Sequence, residues 1–210
     1  MAYDHDEQDK LDTLKSSWQQ YRGFILGLIL ASMIGLSLWY GWQYWQNHQS
    51  AGAAILYDQL EQALINKDKD KTLRVANDLQ NKFPRTAYAQ LGAFNAAKMA
   101  FDTRDLKTAK AQLQWAIEHG NSEELEHLAR LRLATVLLEE KDYAAALKLL
   151  APTPPSGFTT LYAQRRGDIL LAQGKTNEAR AEYKIALDKA DPQATELRQI
   201  LNLKLDLVGE

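Results

Sequence analysis

The side chains best suited to metal ligation or proton transfer in this 210-residue chain are four histidines, His5, His48, His119 and His127, and there is no cysteine to join them. A zinc-protease helix needs two histidines one turn apart with a glutamate between, and none of the four is so spaced. His127 follows Glu123 by four residues, the spacing of an exposed pair along one helix. No G-x-S-x-G elbow, phosphate-cradling glycine loop or dinucleotide fingerprint occurs. Without thiols there can be no disulfide, thiolate metal site or cysteine nucleophile. Ser50, Ser122 and Ser156 all lie near element boundaries, where capping and turn roles account for them. These residues predict no catalytic site, no metal and no cofactor, so the chemistry expected is that of binding.

One stretch sets where that binding takes place. Residues 24–38 read FILGLILASMIGLSL, and no charged residue stands between Arg22 and Asp58. From Tyr21 to Trp39 the apolar run spans roughly 27 Å as a helix, close to the ~30 Å hydrocarbon core of a bilayer. Trp18 and Tyr21 flank one end, and Trp39, Tyr40, Trp42, Tyr44 and Trp45 flank the other, as interfacial aromatic belts do. This predicts a single membrane crossing, in contact with lipid.

Lys10, Lys15 and Arg22 precede the span, whereas the first basic residue after it is Lys67. The positive-inside rule then places the N-terminus in the cytoplasm and the remainder outside, which in a bacterium is the periplasm. A cleaved signal peptide would need a shorter apolar region and a small-x-small site directly after it. Here Ala51-Gly52-Ala53 lies beyond the aromatic cluster, so the span is expected to stay as an anchor. Three of the 25 basic and five of the 27 acidic residues precede it, leaving 22 of each in the exported part. That balance argues against a nucleic-acid or anionic-lipid surface.

After the span, segments of helical period alternate with short polar breaks, and alternating β-branched runs are absent, which predicts an all-α domain of about nine helices. The breaks are Lys67–Lys71, Phe83–Arg85, Asp102–Asp105, Gly120–Ser122, Lys141–Asp142, Pro152–Gly157, Gly174–Lys175 and Asp191–Pro192. Gly120 and Gly174 read as left-handed helix ends. Asn121 with Glu124 reads as a capping-box-like start. Asp191-Pro192 reads as an N-cap with proline at the first helical position. Ala76, Ala109, Ala146 and Ala179 recur at 33, 37 and 33 residues, and Ala97, Ala134 and Gly167 stand twelve residues before the last three. Ala116 and Ala186 follow by seven. Small residues so placed let antiparallel helices approach closely, while Leu113, Leu150 and Tyr183 fill the next layer. A period near 34 built of helix pairs resembles the tetratricopeptide repeat, interrupted in its third unit by Pro152, Pro154 and Pro155. Ala194 to Val208 is suited to cap the array. The fold class expected is all-α: one N-terminal transmembrane helix, then a tetratricopeptide-repeat-like α-solenoid of about four helix pairs and a C-terminal capping helix. The corresponding segments are a cytoplasmic 1–22, an anchor at 23–46 and a periplasmic domain at 47–210.

A short N-terminus, one anchor with the aromatic-rich exit Trp39-Tyr40-x-Trp42-x-Tyr44-Trp45, and about 160 residues of degenerate repeat pairs resemble the YfgM family over essentially the whole chain. Members of that family are bacterial inner-membrane proteins described as ancillary subunits of the SecYEG translocon. The resemblance implies an interaction protein beside the translocon that works with a PpiD-like periplasmic chaperone in handling exported chains. A structural scaffold for another envelope assembly, such as pilus or outer-membrane machinery, shares the same physical design, and a cryptic envelope enzyme lacks a paired-acid site here.

Three binding elements are expected. Gly23, Gly27, Ala31 and Gly35 form a small-residue stripe that could dock on another membrane helix, either a second copy in a homodimer or a translocon subunit. Residues 7 to 21, with Leu11, Leu14, Trp18 and Tyr21 on one face, are expected to form an amphipathic helix lying at the cytoplasmic membrane surface or against a partner's cytosolic loop, and its acids favour the protein partner. In the exported domain, Leu91, Phe94, Lys98, Leu128, Leu131, Thr135, Gln164 and Asp168 point to a concave groove for polypeptide segments. For Leu91, Phe94, Leu128 and Leu131, ordinary core is the equal alternative.

Overall fold

Four helices of the chain end on the same turn. Lys67, Arg104, Lys141 and Gly174 take the left-handed conformation, with φ of 54°, 60°, 61° and 77°. The next N–H in each case returns to a carbonyl five residues back: Asp68 to Ala63, Asp105 to Ala100, Asp142 to Leu137 and Lys175 to Leu170, all at 2.8–3.0 Å. These are Schellman ends. At the first three, the same aspartate then accepts the N–H three residues on, from Lys71, Thr108 and Ala145, and so opens the following helix. One residue closes a helix and starts the next. In the fourth turn Lys175 holds this place and caps with no side-chain bond.

In the computed structural model these turns separate α1 (Asp4–Ile65) from α2 (Lys69–Lys82), α3 (Ala87–Asp102) from α4 (Leu106–Glu118), α5 (Glu123–Glu139) from α6 (Tyr143–Leu149), and α7 (Thr159–Ala172) from α8 (Thr176–Lys189). A 3-10 turn at Ser156–Phe158 precedes α7, and α9 (Thr195–Leu207) closes the chain. The structure describes the backbone of residues 4–120 and 122–209, and of those the side chains from Tyr21 onward other than Ile25. No strand occurs among the described residues. The chain divides into two compact units, residues 1–49 and 50–210.

The second unit is the solenoid, with residues 50–65 of α1 serving as the first helix of the first pair. From α2 to α9 neighbouring helices pack in chain order, and α3, α5 and α7 also touch one another in turn. The first helices of successive pairs therefore share one layer. The repeat alanines Ala76, Ala109, Ala146 and Ala179 are all fully buried, as are Ala116, Ala134 and Ala186. Leu113, Leu150 and Tyr183 fill the layer beside them. Leu60, Leu79 and Ala96 join the first pair to the second, and Leu201 and Val208 of the last segment are buried against α7 and α8. The four pairs and the capping helix match the sequence expectation. The third pair is cut short, because α6 stops at Leu149 ahead of Pro152, Pro154 and Pro155. Proline lacks the N–H that continues a helix and clashes with the carbonyl four residues back.

Three helix-end expectations need correction. Gly120 is not left-handed. A methyl there would run into the Gln90 amide, which donates to the Ala116 carbonyl at 3.1 Å, so close approach is what selects glycine. The N-cap of α5 is Ser122, whose hydroxyl accepts from the Leu125 N–H, while Asn121 lies outside the described residues. Asp191 closes a turn on the Gln193 N–H at 2.8 Å, and α9 begins only at Thr195, because Pro192 and Gln193 complete that turn rather than a first helical turn.

In the first unit, α1 carries the apolar run with its side chains unburied, Phe24 and Leu38 at 72% and 71% exposure among them. It is the one helix among the described residues that is long and apolar enough to cross a membrane. Residues 7 to 21 fall within α1. The side chains of their amphipathic face lie, Tyr21 apart, outside the described residues.

Candidate functional site

The eight residues expected to line one groove separate in space. Phe94 and Leu131, 4% and 7% exposed, belong to the central core, and Leu91 and Leu128 pack against it partly buried. Phe94 and Leu131 thus sit on the helix–helix seam, since a register shift of one residue, about 100°, is enough to carry a side chain there from an open face. Asp168 is taken up internally. It accepts the Tyr183 hydroxyl at 2.9 Å and pairs with Arg165 at 3.5 Å and with Lys204 of α9. Burial, with the Asp168 charge second, holds the Tyr183 phenol above its ordinary pKa. This cluster fastens the capping helix to α7 and α8. Gln164, partly buried, lies outside the cleft described next.

Lys98 and Thr135 do come together, in a cleft of about 310 Å3 between α3 and α5. Its apolar wall is Ala97, Phe101, Leu113 and Val136, and its polar rim is Lys98, Asp102, Arg132 and Thr135. Lys98 pairs with Asp102 at 3.1 Å along α3. The Thr135 hydroxyl donates to the Leu131 carbonyl at 3.1 Å, which leaves its oxygen free to accept. The Arg132 guanidinium lies 4.7 Å from the Phe94 ring centroid, a cation–π contact that links α5 to α3. Desolvation lowers its pKa, and no carboxylate lies within ion-pair distance of it among the described residues.

Sequence reading missed Arg132, Phe101 and Val136. Leu128, Arg132 and Thr135 lie on one stripe at steps of four and three, as do Phe94, Lys98 and Phe101. That spacing was available. What hid Arg132 is that a lone arginine on a helix ordinarily reads as solvated surface.

The membrane-helix stripe stands apart. A Cβ added at Gly23, Gly27 or Gly35 would meet nothing within 4 Å, and Ala31 is exposed, so this face is open. Among the described residues no group of three or more histidines or carboxylates converges as a metal site would require. The cleft offers apolar surface, fixed cations and hydrogen-bond acceptors, the equipment of a peptide-binding surface.

Comparison with known proteins agrees with this architecture. The family model of the tetratricopeptide repeat-like domain matches residues 15–210. The ancillary SecYEG translocon subunit of Neisseria gonorrhoeae is 30% identical, over 98% of this chain and 99% of its own. That of Aggregatibacter actinomycetemcomitans is 29% identical over 95% and 98%, and that of Escherichia coli 29% over 93% and 94%. The family model over residues 15–210, with similarity to these proteins over nearly the full length of both chains, places the chain in the tetratricopeptide repeat-like family of ancillary SecYEG translocon subunits.

Proposed function

We propose that this protein is an ancillary subunit of the SecYEG translocon, held in the inner membrane by α1 with its repeat domain in the periplasm. There it acts as an interaction module, not an enzyme, and together with a PpiD-like chaperone it engages exported polypeptide segments. The observation that carries this reading is the near full-length similarity to proteins bearing that name, anchor and repeats together. Lys10, Lys15 and Arg22 before the span support the orientation. The stripe of Gly23, Gly27, Ala31 and Gly35 is the proposed contact with another membrane helix, and the α3–α5 cleft the proposed contact with chains.

Photo-crosslinking in native membranes tests the reading. A photoreactive residue at Trp45 is expected to label a translocon subunit, and one at Lys98 a periplasmic chaperone or an exported chain. Labelling of pilus or outer-membrane assembly proteins from both positions would overturn it in favour of a scaffold.

A further inference from the structure

The surface around the α3–α5 cleft is more positive than the domain that carries it. A second cleft, of about 550 Å3, lies beside the first and shares Lys98 and Asp102 with it. The joined surface holds four cations, Lys67, Lys69, Lys98 and Arg132, against one acid, Asp102. Lys69 is engaged by Asp105 at 3.2 Å and Lys98 by Asp102. Lys67 and Arg132 have no carboxylate within ion-pair distance among the described residues. The exported part as a whole has equal numbers of acids and bases, so this excess is local.

Arg132 is the better placed of the two. The Arg132 guanidinium lies 4.7 Å from the Phe94 ring centroid, and no carboxylate pairs with its N–H groups among the described residues. A guanidinium is a planar fork of donors that matches a carboxylate. Beside it, Phe101, Leu113 and Val136 offer a dry wall for one aliphatic side chain. An apolar wall next to an unneutralised guanidinium describes a ligand with both complements.

Building on the function proposed above, we propose that the α3–α5 cleft takes an extended segment of a partner polypeptide in which an acidic residue adjoins an aliphatic one. The carboxylate sits on Arg132, with Lys98 and Lys67 adding attraction along the groove, and the aliphatic side chain sits against Phe101 and Val136. The charge complementarity selects this occupant over a basic or purely apolar segment.

The test uses the full chain in nanodiscs of neutral lipid and ten-residue labelled peptides of Gly/Ser background carrying Leu-Glu, Leu-Gln or Ser-Glu. The Leu-Glu peptide is expected to bind about tenfold tighter than either control. In Arg132→Gln the preference for Glu over Gln is expected to vanish while Leu-Gln binding stays unchanged, which shows that the variant is folded. Arg132→Lys should keep part of the preference, since it retains charge without the fork. Equal affinity for Leu-Glu and Leu-Gln in the unaltered protein, or a preference that survives Arg132→Gln, would overturn the proposal. So would a change from dimer to monomer in Arg132→Gln, which would make a second copy the occupant. Crosslinking to the translocon is read separately: crosslinks kept alongside equal peptide affinities remove the acid preference alone, and their loss removes the translocon role itself.

Discussion

At position 167 a single absent carbon lets α7 and α8 close on each other. A Cβ on Gly167 would stand 2.5 and 2.6 Å from two carbons of the Tyr183 ring. That ring is fully buried and is held by the bond from its hydroxyl to Asp168, so it has little room to retreat. Gly167→Ala is therefore expected to destabilise the protein by about 1–3 kcal/mol, as overpacking does. Urea unfolding measures it, and an unshifted midpoint would show that the ring gives way freely. The need for a small residue here was legible from its alignment with Ala97 and Ala134. The role of its neighbour Asp168 was not. An aspartate on a first helix of a repeat reads as a groove residue, and only the fold brings Lys204, 36 positions later, onto it.

At the scale of elements, the turn that Asp105 closes and reopens makes a pH dependence. Asp105 accepts the Thr108 N–H and pairs with Lys69; the backbone bond first, and the side-chain partners after it, hold its carboxyl below the usual carboxylate value. Its contribution is thus complete above the unfolded pKa near 4 and is lost as pH falls through the lower folded value. Asp105→Asn keeps a capping oxygen but removes the charge. Denaturant midpoints followed from pH 6 to pH 2 are expected to fall less in this variant than in the unaltered chain. Parallel curves would show that Asp105 is not linked to folding. The breaks between helices were readable to within a few residues because proline, glycine and aspartate act locally. The left-handed Lys67, Arg104 and Lys141 were not, since nothing in a lysine or arginine favours positive φ and the following helix imposes it.

For the whole molecule the first question is which side of the membrane holds the repeats. A periplasm-active reporter fused after Gly209 is expected to be active and one fused after Ala2 inactive. The reverse result would overturn the periplasmic assignment. The membrane stripe yields a second expectation. Gly27→Leu with Gly35→Leu keeps the span apolar, and a Cβ at either position meets nothing of this chain within 4 Å. Co-purification of membrane partners should drop severalfold if close helix packing depends on these glycines. Undiminished recovery would mean that the stripe is not an interface.

The apolar span, the four helix pairs, the cap and the small residues between them were all legible in the chain before its fold. Each of these follows from local properties: the length of an apolar run, the 3.6-residue period, and the recurrence of alanine and glycine near every 34 positions. What lines the α3–α5 cleft came only with the packing of the helices. Phe94 and Leu131 went to the seam between helices, Asp168 to the cap, and Arg132 to an open position over an aromatic ring. The physical reason is that helical periodicity assigns a side chain to a face only within about one residue of rotation, or 100°. Whether that face meets a neighbour, a distant lysine or empty space depends on how the repeats stack. Only that stacking leaves Arg132 over an aromatic ring with no acid beside it among the described residues.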